Sequence, residues 1–140
     1  MVALNNLAWL LANHAQKANE AISLINSAIE ANKAIPELLD TRALVYLAQG
    51  DTTKAIGELE PLVVDPAIPH RVLASLCFHL ARAYQRAGRP EDARAQLKKA
   101  RAAGLRPESL HELERQLLSS MENDLEQPTA AAALAQPQNQ

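Results

Sequence analysis

The sequence contains few of the residues that build covalent or aromatic sites. Its 140 residues include one cysteine, one tryptophan, one phenylalanine and two tyrosines, whereas 48% are hydrophobic. A single cysteine excludes an intramolecular disulfide, and Cys77 is expected to be a small buried side chain. Alanine and leucine are abundant and lose little side-chain entropy in a helix, so the composition favours an all-α chain.

Long apolar runs and an excess of one charge are also missing. No stretch reaches the roughly 18 apolar residues that a membrane span needs, and no basic segment precedes the first apolar run, Leu7 to Ala12. Neither a membrane anchor nor a signal peptide is therefore expected. The formal net charge of −2 gives no general case for nucleic-acid binding. Cytoplasmic localisation is the default expectation, provided that the chain is not a fragment of a longer protein.

Three segments repeat the same spacing of small and large residues. Ala55 follows Ala21 after 34 residues, Ala93 follows Ala55 after 38, and Gly50 and Gly88 interrupt the second and third segments at equivalent points. A period near 34 with a turn in each unit predicts an array of helix–turn–helix repeats, because antiparallel helices approach closely where the contacting residues are small. The other aligned sets are Ala8, Ala43 and Ala81; Leu11, Tyr46 and Tyr84; and Ala28, Leu62 and Ala100.

This pattern resembles the tetratricopeptide repeat (TPR), in which leucine, a small residue, tyrosine, a glycine turn and two further alanines follow one another at fixed spacing. The third segment, from Cys77 to Ala100, matches best. The second segment departs at Arg42, where leucine is usual, and at Leu62, where alanine is usual. The resemblance implies a right-handed TPR-like α-solenoid of three repeats. An unrelated alanine-rich helical bundle is the alternative.

The resemblance covers residues 2–104, divided into units of about 2–33, 36–66 and 70–104. Residues 105–122 predict a C-terminal capping helix, with Ser109 and Glu112 as its capping box. Residues 123–140 have little to bury and predict a disordered tail. Pro61 lies inside the second helix of the second unit, where a kink or an early helix end is expected.

In the TPR family, the first helix of each repeat lines a concave groove that binds a peptide or a partner helix. Aromatic and arginine side chains often dominate the energy of such interfaces. Trp9 fits equally well as a core residue, and Phe78 fits equally well as a cover for the loop at residues 65–69. Leu44 stands where a clamp for chaperone carboxylates needs asparagine, so chaperone tails are not favoured. The residues carried over by register are Asn5, Trp9, Asp40, Leu44, Phe78, Arg82, Gln85 and Arg86.

No motif indicates catalysis, a metal site or a cofactor, so the chain is not expected to be an enzyme. Its four histidines lack the spacing of metal ligands. Charge is segmented, since residues 66–106 hold nine lysines and arginines against two acidic residues. This block favours an acidic protein partner over nucleic acid, because Phe78 and Tyr84 are its only aromatic residues that could stack on bases.

The leading hypothesis is a non-catalytic scaffold that binds a protein or peptide in the concave groove. The second is a C-terminal structural fragment of a larger TPR array that self-associates through its first helix, because residues 2–12 are apolar on almost every side. The third is electrostatic binding of an acidic protein or nucleic acid through the basic block.

Overall fold

The computed structural model describes residues 17–127, and every regular element in that range is helical. The expected all-α class is therefore confirmed for this range, where no helix combines the length and apolar character needed to cross a membrane. Asn5, Trp9 and the first helix of the first predicted unit lie outside the described residues, as do residues 128–140. The elements are α1 (Ala18–Asn32), α2 (Pro36–Ala48), α3 (Thr52–Val63), α4 (His70–Arg86), α5 (Pro90–Ala102), a 3₁₀ turn (Pro107–Ser109) and α6 (Glu112–Glu126).

The chain forms two compact units, one ending at Leu105 and one beginning at Arg106. In the first unit, each helix from α1 to α5 packs against the next, and α2 also packs against α4. The small residues that the repeat pattern aligned lie at these contacts, where a missing side chain lets two backbones approach. The buried members are Ala21, Ala43, Ala55, Ala81, Ala93 and Ala100, whereas Ala28 and Leu62 are half-buried.

The α2–α3 and α4–α5 connections are the same turn. Each first helix is followed by a glycine with positive φ, 79° at Gly50 and 74° at Gly88. The residue after each glycine donates its N–H to the carbonyl of the repeat's tyrosine at 2.9 Å, Asp51 to Tyr46 and Arg89 to Tyr84. This is the hydrogen-bond pattern of a Schellman C-cap, which requires a left-handed residue. The aligned glycines therefore have the role that the sequence predicted.

Each second helix begins with residues that suit a helix N-terminus. In α3, the Asp51 carboxylate accepts a hydrogen bond from the Lys54 N–H at 3.1 Å, and this bond holds the pKa of Asp51 below its usual value. In α5, Pro90 occupies the first turn, with Glu91 and Asp92 close to the positive end of the helix dipole.

Of the two outcomes expected at Pro61, the early helix end is wrong, and the kink stays a prediction. Helix α3 continues past this proline to Val63 and is 12 residues long, one residue shorter than α5. Because Pro61 stands in the last turn, its missing N–H removes only the hydrogen bond to the Gly57 carbonyl.

The start of α6 differs from the predicted capping box. Residues 107–109 form the 3₁₀ turn, and the Ser109 hydroxyl donates to the Arg106 carbonyl at 2.7 Å instead of capping a helix. Leu110 is extended, so the helix begins only at Glu112. There the Glu114 carboxylate accepts from the His111 N–H at 3.4 Å. The capping contact is therefore shifted by two residues.

The end of α6 also differs from expectation. The helix continues to Glu126, four residues beyond the predicted boundary at 122, so residues 123–126 do not belong to a disordered tail. Leu118, Met121 and Leu125 are buried and share one face, which shows that the apolar stripe extends further than residue 122.

The glycine turns give a stability prediction with an internal control. Gly88→Ala should lower the free energy of unfolding by about 1–2 kcal/mol, because alanine is strained at a left-handed φ although its Cβ meets no atom within 4 Å. Gly57→Ala, inside α3 and equally uncrowded, should raise it by up to about 1 kcal/mol. Urea denaturation followed by circular dichroism measures both. A Gly88→Ala protein as stable as wild type would contradict the turn assignment.

Candidate functional site

The first helices of the second and third repeats meet at a buried polar contact. Asp40 of α2 and His79 of α4 are 6% and 4% exposed. Their Oδ1 and Nδ1 atoms are 2.7 Å apart, and the Ser75 hydroxyl donates to the other oxygen of Asp40 at 3.5 Å. Asp40 therefore does not contribute negative charge to an open groove, as the register had implied. No local pattern could have revealed this pairing, because the partners are 39 residues apart.

Phe78 is a core residue and not an exposed anchor. It is fully buried, with its ring centroid 5.5 Å from that of His79. Phe78 is buried because other helices pack around the middle of α4, where residues 76–81 are all buried. The middle of this helix has no solvent face, so register alone could not assign one of its residues to a binding surface.

The accessible part of the predicted groove lies near the C-terminal ends of α2 and α4. Leu44, Arg82 and Gln85 are half-buried, and Arg86 is exposed. The Arg86 guanidinium donates to the Leu47 carbonyl at 2.6 Å, which ties the end of α4 to the end of α2. These four predicted residues share one region, whereas Asp40 and Phe78 are inside the protein. We call Leu44, Arg82, Gln85 and Arg86 the accessible groove residues.

A second polar contact joins α3 to α4 around a tyrosine. The Tyr84 hydroxyl donates to the Glu60 carboxylate at 2.5 Å. The Arg89 guanidinium lies over the Tyr84 ring, 4.4 Å from its centroid, and its Nε is 2.7 Å from Asp92. Burial, together with the nearby Glu60 carboxylate, raises the pKa of Tyr84 to about 12. The carboxylate of Asp92 raises the pKa of Arg89.

The second repeat also has a tyrosine beside an acid–base pair, but the acidic residue precedes the basic one along the chain. Tyr46 corresponds to Tyr84, and Lys54 lies over its ring at 5.5 Å from the centroid. Lys54 also pairs with Asp51 at 3.0 Å, so an acid–base pair occupies the places of Arg89 and Asp92. The second and third repeats therefore each hold a cation over the tyrosine. Opposite charges three residues apart at the start of each second helix are the sequence signal for this arrangement.

A pocket of about 370 Å³ opens between α2 and α3. Its lining includes Leu39, Arg42, Tyr46, Lys54, Glu58 and Leu62. The two terminal nitrogens of Arg42 donate to the Asn26 side-chain oxygen at 3.1 Å and to the Glu58 carboxylate. Arg42, which departs from the TPR pattern, thus links α1 to α3 across α2.

The described residues offer little for covalent or metal chemistry. Burial raises the pKa of the Cys77 thiol, which favours the protonated form over the nucleophilic thiolate. Between residues 17 and 127, no group of three or more His, Cys, Asp or Glu side chains is arranged to hold a metal ion. Compared with known proteins, the chain matches no family model, no curated protein and no solved structure.

The Asp40–His79 contact should be a major source of stability. Asp40→Ala removes the carboxylate partner of the buried His79 and should lower the free energy of unfolding by about 1–3 kcal/mol. Asp92→Ala removes an ion pair whose side chains are about half exposed, and should cost about 1 kcal/mol or less. Chemical denaturation compares the two. Equal losses would show that burial gives the Asp40 contact no special weight.

The Tyr84 contact predicts a loss of stability in alkali. An unfolded tyrosine ionises near pH 10, whereas Tyr84 in the folded chain ionises near pH 12. The folded state therefore holds its proton longer, and the free energy of unfolding should fall as pH rises from about 10 to 12. Tyrosinate absorbance in a Tyr46→Phe background isolates this titration. Adding Glu60→Gln should lower the pKa of Tyr84, and an unchanged titration would contradict the contact.

Proposed function

We propose that the chain is a non-catalytic interaction scaffold of the TPR type, which holds a protein or peptide against the first helices of its repeats. One observation carries the proposal: α2–α3 and α4–α5 are two copies of one helical hairpin, with the same glycine turn and the same buried alanines. The contact between α2 and α4 supports a stacked array, in which equivalent helices line one surface.

The proposed surface is formed by the accessible groove residues. Leu44 offers apolar area beside two arginines, and arginine is among the residues that contribute most to protein interfaces. Asp40, on the same helix as Leu44, is buried against His79 and therefore does not face a bound partner. This combination suits a partner segment with an apolar residue next to a carboxylate.

The basic block supports a second candidate surface on α5. Lys98 and Lys99 are exposed on this helix, whereas Arg89 and Arg94 pair with Asp92 and Glu91. An acidic protein attracted to Lys98 and Lys99 would bind in a strongly salt-dependent manner. Self-association through residues 2–12 stays a prediction, since those residues lie outside the described range.

A pair of charge-matched variants separates these surfaces. The full chain is used to capture partners from its own cells, alongside an Arg82→Gln/Arg86→Gln variant and a Lys98→Gln/Lys99→Gln variant. Both variants lose two positive charges, so a general electrostatic effect should weaken them equally. We expect a specific partner to be retained by the Lys98/Lys99 variant and reduced roughly tenfold or more with the Arg82/Arg86 variant.

Circular dichroism and denaturation of both variants provide the control for folding. The opposite pattern, with capture lost only in the Lys98/Lys99 variant, would move the binding surface to α5. Equal capture by all three proteins would refute both surfaces. Light scattering on the same samples reports whether the captured partner is a second copy of this chain.

A further inference from the structure

We propose that the pocket between α2 and α3 is a second docking site, which takes a glutamate side chain of a partner peptide together with the apolar residue beside it. The chain itself contains a filled version of this site in the third repeat. There the Tyr84 hydroxyl donates to Glu60 at 2.5 Å, while the cation Arg89 lies over the tyrosine ring. A carboxylate presented by a neighbouring helix thus completes the arrangement.

The second repeat has the same arrangement without the carboxylate. Tyr46 lies in the pocket wall with Lys54 over its ring, but no described side chain accepts from its hydroxyl. The alignment of Ala21 with Ala55 places Asn26 where Glu60 stands one repeat later. Asn26 bonds to Arg42 and not to the tyrosine. The tyrosine hydroxyl and the cation are therefore open to an incoming carboxylate.

The charges around the pocket are compatible with such a ligand. Glu58 is the carboxylate in the pocket lining, and Arg42 already pairs with it. Lys54 forms an ion pair with Asp51, yet its side chain is 64% exposed and therefore accessible to a ligand. In the third repeat, Arg89 likewise forms an ion pair with Asp92 and also interacts electrostatically with the Glu60 carboxylate. One cation over the tyrosine therefore tolerates two carboxylates in this fold.

The rest of the lining suits the residues next to a partner's glutamate. Leu39, Pro61 and Leu62 give the pocket apolar walls, and burial of an apolar side chain there supplies affinity that a carboxylate alone lacks. Along α2, Leu39, Arg42 and Tyr46 lie on one face, whereas Leu44 is turned away from Arg42 by roughly 160°. The pocket is thus separate from the accessible groove residues, and its test does not depend on the proposed function.

The probe is a capped peptide that copies residues 59–64 (LEPLVV), which includes the glutamate of the filled site. The full chain, isotopically labelled, is titrated with it and followed by nuclear magnetic resonance. We expect saturable shifts at Tyr46, Lys54 and Leu39. Tyr46→Phe in the chain, or glutamate→glutamine in the peptide, should each weaken binding roughly tenfold, the effect of one hydrogen bond to a charged group.

The two changes combined should weaken binding little more than either one alone, because both remove the same hydrogen bond. Tyr84→Phe is the matched control and should leave the affinity for the peptide unchanged. No shifts at peptide concentrations of about 10 mM, which would detect a Kd near 1 mM, would overturn the proposal. So would affinities that neither substitution changes, or shifts centred on Tyr84, Arg86 or Lys98 in place of Tyr46.

Discussion

Close approach of helix backbones at alanine is the constraint on which the rest of the first unit depends. Ala43, Ala55, Ala81 and Ala93 are all completely buried where consecutive helices pack. A larger side chain at any of these positions would separate two helices and open gaps beside it, and overpacking of this kind costs about 1–3 kcal/mol. Close packing also requires the glycine turns, because two antiparallel helices in contact need a short connection that reverses the direction of the chain.

Polar contacts between repeats make this packing specific. Apolar surfaces of alanine and leucine tolerate sliding, whereas Asp40 with His79 and Glu60 with Tyr84 each satisfy a polar group at one relative position of two helices. A shift of one helical turn would leave the Asp40 carboxylate buried without its partner. Apolar residues at these two helix contacts would pack equally well, but they would not fix the relative position of the helices.

Local signals in the sequence predicted the elements well, and the surfaces poorly. The alanine spacing and the glycines at 50 and 88 act within one or two turns, so they can be interpreted without knowing the fold. Exposure depends on every helix that packs nearby. The repeat register places Phe78 in a groove, although residues 76–81 of α4 are all buried. The capping contact of α6 lies two residues beyond the predicted one, because residues 107–109 form a 3₁₀ turn and the extended Leu110 delays the start of the helix to Glu112.

The departures of the second repeat from the shared pattern are what open its pocket. In the third repeat, Leu80 and Gln96 are buried at the positions that correspond to Arg42 and Glu58. Complete burial of the Arg42–Glu58 pair would carry a desolvation penalty of several kcal/mol per ion, and both side chains instead remain 16–23% exposed. A charged pair that stays in contact with water therefore lines the pocket of the second repeat, whereas the third repeat buries a leucine and a glutamine at the same positions.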